Sequence, residues 1–116
     1  MDYKFINTEY LYSVSAGDPD ITREIISMFK SQSIEIHTEM ETRFYLKDFK
    51  NLGHLAHKAK SSVAIMGMND LANMLRNFEL QAKEGKEADK YESYIQRFKT
   101  ETDSAVSELE DYVKKL

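Results

Sequence analysis

Apolar residues recur at helical spacing in four long stretches of the chain. The clearest begins at about Lys47 or Asp48. There Phe49, Leu52, Ala56, Ala59, Val63 and Met66 follow at intervals of 3, 4, 3, 4 and 3, the pattern of one buried helical face. Before it, Ile26, Phe29, Ser33, Ile36, Met40 and Phe44 share one side of a helix predicted from Pro19 to about Leu46, with Asp18 as N-cap and proline at the first helical position. After it, Gly67 ends the stripe, and Asn69 or Asp70 caps a helix carrying Leu71, Met74, Leu75, Phe78 and Ala82 as far as Gly85. The last helix is predicted from near Ala88 to the C-terminus, with Tyr91, Ile95, Phe98, Thr102, Ala105, Leu109, Tyr112 and Leu116 on its inner face. A short helix from Asn7 or Thr8 to Ala16 precedes them. Long amphipathic helices joined by short loops pack antiparallel. The expected fold is therefore all-α: an up-down-up-down four-helix bundle with a short extra N-terminal helix, residues 1–116 forming one domain.

Composition narrows the function classes. The 116 residues include four glycines, one proline and no cysteine. So few turn formers disfavour an all-β fold, and no glycine-rich phosphate loop can be assembled from Gly17, Gly53, Gly67 and Gly85. The lack of cysteine removes thiolate chemistry and suits a reducing cytoplasm, the expected location. A net charge of −4 argues against a nucleic-acid binder, and no apolar run is long enough to span a membrane. A monomer is expected.

The third helix carries the candidate chemistry. His57 lies about 130° from the centre of the buried stripe, so it should face solvent. Its neighbours on that face are Gly53, His54, Lys60, Ser61 and Ala64. Several are small, which would leave room for a large partner around the imidazole. Gly53 reads either as a sign that the helix starts later or as clearance for that partner. From Lys47 to Lys60 the chain holds four lysines against one acid, a basic patch suited to an acidic partner site. Neutral imidazole is nucleophilic near neutral pH. With no ATP site and no base beside it, His57 can accept a phosphoryl group only after another protein has activated it. His54 and His57, three residues apart, could in principle share a metal ion. Bundle metal sites, however, use Glu-x-x-His pairs, and no glutamate stands three before His37, His54 or His57. No metal ligand set is assigned, and His37 is read as an ordinary polar-face residue.

The run His57-Lys58-Ala59-Lys60-Ser61-Ser62-Val63-Ala64-Ile65-Met66-Gly67-Met68 resembles the signature of histidine-containing phosphotransfer (HPt) domains. In that family His-x-x-Lys is followed by small residues and by a glycine ten after the histidine, here Gly67. Leu71, Leu75, Phe78-Glu79 and Ala82-Lys83-Glu84-Gly85 continue the match, as do Ala16-Gly17-Asp18-Pro19 and Met28-Phe29 upstream. The resemblance implies that His57 is the phosphoacceptor through Nε2 and that Lys60 stabilises the phosphoryl group. Ser61, usually glycine in the family, would stay small enough for a partner to approach and could donate its hydroxyl to the phosphoryl group. Ala64 and Gly53 would support the same open face. Glu79 would orient the imidazole. The implied partners are receiver domains of response regulators and of hybrid sensor histidine kinases, with Mg²⁺ on the receiver and no cofactor on this chain. The implied activity is phosphorelay transfer to and from receiver aspartates, without autonomous ATP-dependent kinase activity. An apolar patch around the histidine, with Leu46 and Met68 as contributors, would serve docking. The competing reading is a helical-bundle scaffold that binds a signalling partner without transferring phosphate.

Overall fold

A computed structural model describes residues 3–116. Among these residues the regular structure is helical: α1 (Thr8–Val14), α2 (Pro19–Tyr45), α3 (Phe49–Ile65), α4 (Asn69–Glu84) and α5 (Tyr91–Val113), with a 3-10 turn over Ala88–Lys90. The four long helices run up and down in sequence order in a bundle of 43 × 20 × 20 Å, and α1 packs against α3. At 27 residues, α2 is about 40 Å long and spans the long axis.

Local chemistry fixes the helix starts. The Asn7 side chain accepts from Tyr10 N–H at 3.0 Å. Asp18 accepts from the N–H groups of Asp20 and Ile21 at 2.8 and 3.2 Å, with Pro19 at the first helical position. Asp48 accepts from Asn51 N–H. These satisfy donors that the first turn leaves open. α4 departs from expectation: Met68 occupies its N-cap without a side-chain bond, and Asn69 is already helical. Met68 is buried, so packing, rather than a polar cap, fixes that start. At Gly67, φ is +73° and an added Cβ would lie 2.5 Å from the Cβ of Asn7. Both the left-handed turn and the close approach of the N-terminal segment require glycine there.

The core is built from the predicted stripes. Leu11, Ile36, Met40, Leu52, Ala56, Ala59, Val63, Leu71, Leu75, Phe78, Tyr91, Phe98 and Leu109 are fully enclosed. Thr102 interrupts the apolar face of α5 harmlessly, because its hydroxyl donates to the Phe98 carbonyl at 2.7 Å. The α5 stripe ends earlier than predicted. The helix stops at Val113, Tyr112 is half-buried and Leu116 is exposed. The small residues Ala56 and Ala59 let α3 lie close to its neighbours.

One tie has no counterpart in the periodicity. The Glu108 carboxylate of α5 accepts from the backbone N–H groups of Lys4, Phe5 and Ile6 at 3.0–3.3 Å. The Tyr3 hydroxyl donates to Asp111 at 2.7 Å. The N-terminal segment is thereby clasped along α5, and Asn7 N–H donates to the Met66 carbonyl at the end of α3.

Candidate functional site

α3 and α4 run antiparallel, and their contact brings His57 opposite Glu79. The His57 side chain is 57% exposed, whereas that of Glu79 is 10% exposed. His57 Nδ1 lies 3.1 Å from both Glu79 carboxylate oxygens. An ionised carboxylate can only accept, so Nδ1 carries the hydrogen and donates. The lone pair of the neutral ring then resides on Nε2, on the side of the ring away from Glu79. That atom is the only nucleophilic position the imidazole offers.

Two ammonium groups complete the cluster. Lys60 Nζ is 3.3 Å from Oε1 of Glu79, and Lys83 Nζ is 2.7 Å from Oε2. Burial alone would raise the Glu79 pKa. Hydrogen bonds from Lys83, His57 and Lys60 outweigh it and hold the carboxyl down at about 2. Glu79 is therefore a fixed anion at neutral pH, buried beneath an exposed imidazole.

The remaining sequence-selected residues fall into place differently. Ser61 is exposed one turn beyond His57, with its hydroxyl donating back to the His57 carbonyl at 3.4 Å. Ala64 is half-buried on the next turn. Gly53 must be corrected. Although it lies four residues before His57, it is buried against α4, because α4 covers that side of α3; it is not clearance on an open face. Met68 is likewise corrected. It is buried in the core at the α4 N-cap and contributes nothing to an exposed patch. Leu46 is exposed at the C-cap of α2. Two exposed apolar side chains, Met28 and Ile65, line a groove between α2 and α3 with Ile25 and Phe29. Ile65 is eight residues from His57, about 12 Å along the helix.

Lys83 was visible in the sequence only as part of the run that closes α4. The signal that could have singled it out is its spacing of four from Glu79, the distance at which Glu and Lys pair on a helix. His37 sits apart on α2, with Nδ1 3.3 Å from Glu41. Among the described residues, no three histidine, aspartate or glutamate side chains gather to hold a metal ion, and no helix is long and apolar enough to cross a membrane.

The described residues thus form an all-α bundle in which the exposed His57 lies over the buried Glu79 carboxylate, with Lys60 and Lys83 on the same carboxylate. A family model described as Hpt domain matches residues 24–114, and the chain belongs to the Hpt domain family. Neither the curated proteins nor the solved structures give a match. Membership assigns a histidine phosphotransfer role in phosphorelays, and domains of this family interact with response-regulator receiver domains and kinases.

Proposed function

We propose that His57 is the residue that carries the phosphoryl group, and that it exchanges the group with an aspartate of a receiver domain. One observation carries this reading: Glu79 holds Nδ1 as a donor, which leaves the Nε2 lone pair on the exposed side of the ring. In one direction Nε2 forms an N–P bond as the P–O bond of the receiver's acyl phosphate breaks, and the electron pair of that bond returns to the aspartate carboxylate. The ring becomes an imidazolium whose Nδ1–H remains bonded to Glu79, so a buried anion faces the new positive charge. The reverse step restores the neutral ring.

Lys60, one turn beyond His57, pairs with a phosphoryl oxygen. Ser61 keeps the approach low. The Mg²⁺ expected on the receiver supplies charge stabilisation on that side. The receivers are those of response regulators and of hybrid sensor histidine kinases, and they dock over α3 with the Ile25, Met28 and Ile65 groove as the apolar part of the footprint.

The test is label transfer. A receiver phosphorylated with radioactive phosphate should pass acid-labile label to the protein, and His57→Gln should abolish this while circular dichroism and unfolding midpoint stay unchanged. Unchanged transfer in His57→Gln would leave the bundle as a scaffold. Incubation with ATP alone should leave the protein unlabelled.

A further inference from the structure

Gly53 is an anomaly for a helix interior. It costs about 1 kcal/mol relative to alanine, and it is not among the glycines with positive φ, so the backbone does not demand it. The space does. A Cβ on Gly53 would meet Lys83 Cγ at 2.8 Å, Lys83 backbone N at 3.2 Å and the Glu79 carbonyl oxygen at 3.3 Å. Two of those three atoms belong to the α4 backbone, in the one turn that bears both Glu79 and Lys83. The third is the middle of the Lys83 stem, which lies across Gly53 on its way to Glu79.

The charges at the site raise a second question. A phosphoryl group on Nε2 brings up to two negative charges close to Glu79. If Lys60 were the only ammonium present, it would have to leave Glu79 to reach the phosphoryl oxygens, and a buried carboxylate would lose its cation as the anionic load rose. Lys83 removes that conflict, because its contact with Oε2 is the shorter of the two and involves the oxygen that Lys60 does not touch.

We infer that Gly53 and Lys83 act together as positioning residues. Gly53 seats the Lys83 stem and the α4 turn against α3, Lys83 is the standing counter-charge of Glu79, and Lys60 is thereby free to turn to the phosphoryl group. Only the last step rests on His57 being the phosphoacceptor.

The test uses Gly53→Ala and Lys83→Gln in the full chain. Titration of the Glu79 carboxyl, followed by carbon NMR in the unphosphorylated protein, should show its midpoint move up from about 2 toward 4.5 in both variants. Gly53→Ala should keep an unfolding midpoint near that of the parent, because the gain in helix propensity offsets the contact. A merely structural glycine would leave the Glu79 midpoint alone. With a phosphorylated receiver as donor, Lys83→Gln and Lys60→Gln should each slow labelling about tenfold, the size of one charge-assisted contact. The double variant should be no slower than either, because without Lys83 the Lys60 ammonium stays on Glu79. An unmoved Glu79 midpoint in both variants overturns the Gly53–Lys83 assignment, and so does multiplication of the two rate losses. If Gly53→Ala fails to fold, Lys83→Gln carries the same readouts. If the parent accepts no label, the family-based reading of His57 fails, while the carboxyl titration still decides the positioning.

Discussion

Glu79→Gln in acid is the sharpest test of how the site is held together. The carboxyl sits at about 2 in the folded protein against an ordinary 4.5, a preference for the ionised form of at most about 3 kcal/mol. Lys60 and Lys83 are 30% and 39% exposed, so solvent screening reduces this to about 1–2 kcal/mol. Because the folded pKa is the lower one, the stabilisation is complete above about 4.5 and disappears as pH falls through about 2. Roughly a quarter of it survives at pH 2.5 by the same linkage. The parent should therefore exceed Glu79→Gln by about 1–2 kcal/mol in urea unfolding at pH 7 and low salt, and the gap should shrink steadily between pH 4.5 and 2.5. Other carboxylates titrate in both proteins and cancel in the difference. A gap that is the same at pH 7 and pH 2.5 would mean that shape rather than charge sustains the Glu79 contacts, and would refute the electrostatic account.

Other perturbations address separate parts of the molecule. Lys47 takes a left-handed φ of +56° in the turn between α2 and α3, so Lys47→Gly should stabilise by about 0.5–1 kcal/mol in the same unfolding assay. Glu108→Ala should free the N-terminal segment, costing about 1–2 kcal/mol and exposing the amides of Lys4, Phe5 and Ile6 to rapid hydrogen exchange while the core amides stay protected. Ile65→Glu should leave the unfolding midpoint within error, since the side chain is exposed, yet slow label transfer from a receiver about tenfold or more; an unchanged rate would move the docking footprint away from the α2–α3 groove.

The helices were legible because each stripe is a one-dimensional record of a buried face. Leu52, Ala56, Ala59 and Val63 announce α3, and Asp18-Pro19 announces the start of α2. The exposure of His57 followed from the same wheel. The wheel does not say which neighbouring helix covers the edge of a face, and Gly53 was misplaced for that reason. It shares the angular sector of His57, but α4 closes over it while leaving the imidazole open. Met68 was misread because a residue next to a turn can point inward without belonging to any stripe. The convergence of Lys60 and Lys83 on one carboxylate depends on the spacing of α3 and α4, which periodicity does not encode. The Glu108 clasp joins residues about a hundred positions apart through backbone donors, which carry no residue-specific signal at all.

That clasp also determines where the two ends of the chain come out. Tyr3 is bonded to Asp111 and lies edge-on against Tyr112, and Lys115 reaches its hydroxyl at 3.2 Å, so the first and last described turns meet at one corner of the bundle. A short flexible linker could join them, with new ends opened in the exposed Lys86–Glu87 loop. Such a circular permutant keeps α3 and α4 on one continuous piece of chain, with His57, Lys60, Glu79 and Lys83 in their native order.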